Sequence, residues 1–297
     1  MAPSKVIPIV LLHHGQPEVL LRTVEHISAN TRHPYILFVV DNATPADDLL
    51  KNTFSIIQEK YKVHIIHNKN NNWIYGFNLA MEHEKWPDSE FYAFSDADIL
   101  VPADQDGICW LGKMVDQLEQ HRCIGKLGLS LDLSELQKNT VLQATFLAEK
   151  RLLLGEKIGN NIIAPVDTTM AVYRKDFFIG KFKFRIGHQS LARPYYYICR
   201  TDPSLSAIHV GWDFYPGASK EEYPLEKQWI KAMTMCKMGT YVAPEVIQAF
   251  GFVRRLQLRC LQAMVRSVHG FKLLAMVLFY VVKRLPRRLN ELQSKAR

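Results

Sequence analysis

Asp96 and Asp98 stand one residue apart at the end of an apolar run, FYAFSDADI over residues 91–99. Aspartate is poor within strands, and two carboxylates this close repel unless a positive charge lies between them. A turn would accept both side chains. A divalent cation would use both, because hard oxygen ligands suit Mn2+ or Mg2+ and such ions bridge protein carboxylates to substrate phosphates. Neither GxGxxG nor GxxxxGK(S/T) occurs in the chain, which counts against a dinucleotide enzyme and a P-loop NTPase. Any bound phosphate must then be neutralised by other means.

The elements around the pair favour the cation over the turn. KVIPIVLL (5–12), YILFVVD (35–41), KVHIIHN (62–68) and EFYAFSD (90–96) read as buried strands. PEVLLRTVEHISAN (17–30), PADDLLKNTFSIIQEKY (45–61) and IYGFNLAMEHEK (74–85) read as the helices between them, the first with Pro17 in its opening turn. This alternation predicts an α/β fold with a mostly parallel sheet covered on both faces. Such sheets bind ligands beyond the carboxyl ends of their strands. His13, Asp41, residues 68–72 and the pair Asp96 and Asp98 all fall there. Beyond residue 105 the alternation weakens. A helix is expected over 108–121, a strand over 124–131, a strand running into a short helix over 168–178, and a helix over 223–239 closed by Gly239.

These motifs together resemble the GT-A (Rossmann-like) nucleotide-sugar glycosyltransferases, and family 2 among them. VVDNAT (39–44) is similar to that family's second-strand ending, so the resemblance places Asp41 and Asn42 at the nucleobase. NNWIYGFNLAM (71–81) is similar to its N-x-G-x-x-x-x-N segment, with Asn71 and Asn78 matching and Trp73 in place of the usual glycine. SDADI (95–99) matches the metal motif, which implies Asp96 at the nucleotide sugar and Asp96 and Asp98 on Mn2+ or Mg2+. HHGQPEVL (13–20) stands where the family has T-x-N-R-P-E, so His13 would face the nucleotide without the usual threonine. The resemblance covers residues 5–104 well.

In the second half, PVDTTMAVYRKD (165–176) looks like the strand bordering the acceptor, and AIHVGWDFYP (207–216) offers His209, since a late histidine often completes the metal site in this fold. The family's Glu-Asp pair, which supplies the base in many inverting members, has no clear counterpart. An inverting transfer needs a carboxylate to take the acceptor hydroxyl proton. Asp167 and Asp213 are the candidates, against plain readings as an N-cap or turn and as a loop residue beside Trp212. Trp73 and Trp212 stack on a sugar or fill core, and the YYY of 195–197 reads as strand packing.

The expected activity is transfer of a sugar from a nucleotide-diphosphate sugar, UDP-linked first, to a glycan or lipid-linked acceptor such as a surface-glycan precursor. The alternatives are a sugar-phosphate nucleotidyltransferase, which would want a glycine-rich basic loop where HHGQPE stands, and a membrane-tethered binding module without catalysis.

The chain has 297 residues, 48% of them apolar and 22% charged, which describes a globular protein. Five scattered cysteines without CxxC spacing, and an opening segment without a small-residue cleavage site, predict reduced thiols and a cytoplasmic location. The net charge of +8 is uneven: residues 251–297 hold eleven Lys or Arg against Glu291 alone, and the rest carries 26 basic and 28 acidic residues. A catalytic domain over 1–250 is expected, with a nucleotide-sugar half (1–104) and an acceptor half (105–250), followed by a basic amphipathic helical segment over 251–297. In that segment Val253, Leu256, Cys260, Met264 and Val268 share a helical face, with Arg255, Arg259 and Arg266 opposite. The apolar run 271–282 is too short for the ~20 residues that span a bilayer. The segment therefore reads as an interfacial helix on the anionic cytoplasmic membrane face, or else as helices packed on the catalytic domain with a solvated basic side. Its apolar content speaks against nucleic acid.

Overall fold

Ile7–His13 (β1) is buried at every position because it runs through the middle of a sheet covered on both sides. In chain order there follow α1 (Pro17–Asn30), β2 (Tyr35–Asp41), α2 (Asp48–Tyr61), β3 (His64–His67), a 3-10 turn (Trp73–Gly76), α3 (Phe77–Met81), β4 (Phe91–Asp96) and β5 (Ile99–Leu100). Next come α4 (Trp110–Gln120), β6 (Ile124–Gly128), β7 (Ser130–Leu131), α5 (Ser134–Lys138), α6 (Gln143–Leu152), β8 (Lys157–Ile158) and β9 (Asn161–Ile163). β10 (Ala171–Arg174), β11 (Tyr197–Arg200), β12 (Ser206–His209) and a second 3-10 turn (Val210–Phe214) complete them. The computed structural model describes residues 6–104, 107, 109–139, 142–175, 196–214, 225, 229, 232, 233, 236, 242, 247–265, 267, 268, 271, 274 and 278; of Trp73, Ala144, Asp213 and Phe214 it describes the backbone alone.

Nine strands form the main sheet in the order β3-β2-β1-β4-β10-β6-β11-β9-β8. The β3-β2-β1-β4 half is parallel throughout, as the alternating helices require. β10 then enters antiparallel between β4 and β6. A small sheet, β5-β12-β7, stands beside it. Side chains of successive strand residues go to opposite faces. Ile7, Ile9 and Leu11 of β1 join one apolar cluster with Leu20, Val24 and Ile27 of α1, Leu50 and Ile57 of α2, and Trp110 and Met114 of α4. Val10 and Leu12 join the other, with Phe38, Phe77, Ala80, Tyr92 and Tyr173. The two clusters explain why the parallel strands are apolar without alternation.

Three expected boundaries shift for local reasons. α2 begins at Asp48 rather than Pro45 because the Asp47 carboxylate accepts the Leu50 N–H at 2.7 Å and caps the helix. The helix expected over 74–85 shortens to α3 with a 3-10 turn before it; past Met81 the chain turns so that the Trp86 ring packs on Phe38 and Phe77, at centroid distances of 5.6 and 5.9 Å. The strand expected over 124–131 breaks at Leu129, whose N–H goes to the Met170 carbonyl at 2.9 Å, and its two pieces serve different sheets.

The strand expected from 168 is β10, and its following helix lies outside the described residues. Of the tyrosine run, Tyr196 is buried and Tyr197 opens β11, while Tyr195 lies outside the described residues.

The chain divides into two compact units, Met1–Ser219 and Lys220–Arg297. The second has its own small core, with Ala232, Cys236, Val242, Ile247, Phe250 and Leu258 buried and Trp229 edge-on to Phe250 at 5.4 Å. Residues 225, 229, 232, 233 and 236 of the helix expected over 223–239 are helical; the others, Gly239 included, lie outside the described residues.

Candidate active site

The register of the parallel strands sets the site. His13 is opposite Asp41, and Leu12 is opposite Asp96, so three polar residues emerge together at the carboxyl edge. The ladder continues one step past the strands: Asn42 N–H donates to the His13 carbonyl, Asn68 N–H to the Asp41 carbonyl and Ala97 N–H to the Leu12 carbonyl, at 2.8, 2.8 and 3.0 Å. The following loops carry left-handed backbone at Gly15 (φ 74°), Gln16 (φ 53°) and Ala43 (φ 59°). Two of these are not glycine, and such conformations concentrate at ligand-facing turns.

At the β1–β2 edge, Asp41 is 4% exposed. One of its oxygens accepts the Thr44 N–H at 3.2 Å, and the other lies 3.5 Å from His67 Nδ1. The Asn42 side-chain oxygen accepts from Asn68 Nδ2 at 2.7 Å, and Asn68 Oδ1 accepts from Asn72 Nδ2 at 3.2 Å. A Cβ on Gly76 would fall 2.6 Å from Asn42 Oδ1, so this glycine lets the 3-10 turn close over the amides. Asn42 thus braces the loop around Asp41. His13 is buried, and burial lowers its pKa from 6.5 to about 4 against the raising effect of Asp41. It is a neutral imidazole whose Nε2 has no partner among the described residues. Asn78 sits on α3 and Asn71 just before the 3-10 turn, both partly exposed.

At the β4 end, the Asp96 N–H donates to the Thr168 carbonyl at 2.8 Å, and the Thr168 hydroxyl donates back to Asp96 Oδ2. Burial pushes Asp96 up to about 8, with the Asp98 charge adding and the Thr168 bond opposing. Asp98 is raised too, by burial first, with His209 opposing. β12 pairs antiparallel with β5, setting His209 against Ile99, and the Val210 N–H donates to the Asp98 carbonyl at 3.0 Å. His209 Nδ1 therefore faces Asp98 Oδ2 at 4.0 Å. Asp98 Oδ1 and His209 Nδ1 are both buried without a hydrogen-bond partner. Trp212 stacks flat on the His209 ring at 4.8 Å and 3°, which fixes the imidazole plane. Among the described residues, no three His, Cys, Asp or Glu side chains gather into a complete cation cage. Asp98 and His209 are the two side chains here that could hold a cation, and an ion held by them would need further oxygens to complete its shell.

Asp167 lies exposed on the loop between β9 and β10, beside Thr168. Two buried basic side chains hold this loop by its carbonyls. Arg200 Nε donates to the Pro165 carbonyl at 2.9 Å, while its Nη1 pairs with Glu149 Oε2 of α6 at 2.5 Å. Lys126 Nζ donates to the Val166 and Asp167 carbonyls at 2.7 and 3.2 Å and lies 5.0 Å from the Tyr173 ring centroid. Lys126 is wholly buried, and that burial lowers its pKa to about 7 against the pull of Asp167. Asp213 follows Trp212 in the second 3-10 turn, and its side chain lies outside the described residues.

Residues 9–180, more than half of the chain, match the model of the family described as Glycosyl transferase family 2. The chain belongs to that family. The matched span of this family 2 glycosyltransferase takes in His13, Asp41, Asn42, Asn71, Asn78, Asp96, Asp98 and Asp167; His209 and Asp213 lie beyond it. Its GT-A fold is similar to that of a mannosyltransferase, PcManGT from Pyrobaculum calidifontis, solved in complex with GDP-Man and Mn2+. The identity is 13% and the TM-score 0.52, over 99% of this chain and 86% of that one. GalNAc-T7 with UDP, GalNAc and Mn2+ is 14% identical at a TM-score of 0.45, over 69% of this chain and 43% of that one. TarS from S. aureus is 13% identical at a TM-score of 0.44, over 87% and 53%. No curated protein matches the chain.

Thr168, Gly211, Lys126 and Arg200 escaped the sequence reading of this glycosyltransferase. Lys126 alone carried a signal, as a lysine inside the otherwise apolar strand IGKLG.

Proposed function

We propose that this glycosyltransferase moves a sugar from a nucleotide-diphosphate sugar, UDP- or GDP-linked, to a hydroxyl of a glycan or lipid-linked acceptor, with inversion and with a divalent cation. The observation that carries the metal reading is that Asp98 and His209 face each other at the strand edge, Oδ2 to Nδ1 at 4.0 Å, while Asp98 Oδ1 and His209 Nδ1 are buried without a hydrogen-bond partner. Buried polar atoms are seldom left unpaired without a reason. A carboxylate with an imidazole suits Mn2+ better than Mg2+, since imidazole favours transition metals. Asp98 and His209 would hold the ion, and Asp96, kept in place by Thr168, would meet the ion or the nucleotide sugar. The bound cation would neutralise the departing diphosphate.

The remaining roles belong to side chains alone. Asp41 accepts from a nucleobase N–H, with neutral His13 beneath it and Asn42 bracing the loop. Asn71 and Asn78 donate to the donor's polar groups. The acceptor hydroxyl oxygen bonds to the anomeric carbon as that carbon's bond to the diphosphate oxygen breaks, and a carboxylate takes the hydroxyl proton. Asp167, on the loop held by Lys126, is one candidate for this role, and Asp213 is the other. A cytoplasmic location belongs to this reading, from five scattered cysteines without CxxC spacing. The family membership favours transfer over nucleotidyl chemistry.

Thermal melting with UDP and GDP, each with Mn2+, with Mg2+ and with excess chelator, tests the reading. Saturation at 100 times Kd would stabilise the fold by about 3 kcal/mol, and only where a cation is present. Equal stabilisation in chelator would contradict a cation bridge.

A further inference from the structure

We propose that the C-terminal helix is a lipid-docking element, lying along an anionic membrane surface with a solvent-facing apolar stripe buried among the lipids. This goes beyond the transferase reading and does not depend on it. Residues 252–265 are helical, as are the described residues 267, 268, 271, 274 and 278. The helix has two apolar sides. One is satisfied within its own unit, where Leu258 is fully buried with Cys236, Ile247 and Phe250. The other is bare: Phe252 is 75% exposed, Leu256 53%, Met264 59%, Phe271 77%, Leu274 57% and Leu278 56%. At about 100° per residue, a single helical register brings these six positions within an arc of roughly 120°. Surface apolar residues scattered singly mean little, but a stripe of this length marks an interaction site.

The charge selects the occupant. Residues 251–297 hold eleven Lys or Arg and one acid, while the remainder is nearly balanced at 26 basic to 28 acidic. A second copy of the chain would bring the same cations against themselves, and the rest of its surface has little net charge to answer them. An anionic bilayer answers both features, taking large apolar side chains below its headgroups and basic ones among them. Arg259 is exposed, and Arg254 lies 5.1 Å from the Trp229 ring centroid. Among the described residues no helix is long and apolar enough to cross a membrane.

The test is flotation of the full chain with vesicles of phosphatidylcholine mixed with phosphatidylglycerol, and of phosphatidylcholine alone, at low and high salt. The chain should float with the mixed vesicles, more weakly with the neutral ones, and keep a salt-resistant fraction. The triple variant Leu256→Ser, Met264→Ser, Phe271→Ser should bind at least about tenfold less with an unchanged melting temperature, because it alters exposed positions only. Phe271→Ser alone should act in the same direction at smaller amplitude, which guards against a folding defect in the triple variant. Absence of flotation by the intact chain, or full flotation by both variants, would overturn the proposal. So would dimers in sedimentation that the triple variant abolishes, since they would mark the stripe as a self-contact.

Discussion

A Cβ on Gly211 would lie 1.9 Å from Asp98 Oδ2 and 2.7 Å from His209 Cε1. No real side chain fits at such distances, so the 3-10 turn after β12 can pass the carboxylate only at a glycine. Gly211→Ala should push Asp98 and His209 apart. We expect turnover to fall at least about 100-fold, as for a misplaced catalytic constellation, with a stability loss of only about 1–3 kcal/mol from local overpacking. Turnover with saturating Mn2+ and a urea melt of the same sample separate the two effects.

Lys126 and Arg200 hold three successive carbonyls of the loop that carries Asp167 and Thr168. Lys126→Met keeps most of the volume and removes the donor. Two carbonyls lose their partner, at about 1–3 kcal/mol each, offset in part by no longer burying an amine. If the loop positions the acceptor-side carboxylate, turnover should fall about tenfold or more while nucleotide affinity shifts by less than about threefold. A residue that merely supported the fold would lower the melting temperature and leave turnover per folded molecule unchanged.

His13 makes the fold sensitive to acid. Its folded pKa is depressed from 6.5 to about 4, by burial foremost. Below pH 6.5 the unfolded chain takes up a proton that the folded chain refuses until about pH 4, so this contribution to stability falls as pH falls across that window. At pH 5 the loss is about 2 kcal/mol relative to pH 8. Urea unfolding of the wild type and His13→Gln at both pH values should show the difference shrinking by that amount in the variant.

The parallel half of the fold was legible because its elements are local and strongly patterned. α1 and β2 run over 17–30 and 35–41 as read. In the second half α4, β6 and β10 fall where a helix and strands were read, but their arrangement was not legible, because β10 enters antiparallel between strands far away in sequence, and β7, β8 and β9 are two or three residues long. Asp96 and Asp98 could be read from where an apolar strand ends. The approach of His209 to Asp98 is now explained by the pairing of β12 with β5, which no spacing predicts. Gly211, Thr168 and Arg200 left no trace in the sequence, since their work is steric or directed at distant backbone carbonyls. Asn42, read as a nucleobase contact, has its side-chain oxygen occupied by Asn68.

The most direct measurement is release of nucleoside diphosphate from UDP- and GDP-sugars by wild type and Asp98→Asn, with Mn2+ and in chelator. Wild type should release nucleotide only with the cation. Asp98→Asn should lose at least about 100-fold in rate, since one anionic ligand is gone. Its melting temperature without metal should be equal or higher, because the variant no longer buries a second carboxylate beside Asp96. Release by Asp98→Asn at the wild-type rate, with the same response to Mn2+, would contradict the assignment of this strand edge as the catalytic metal site.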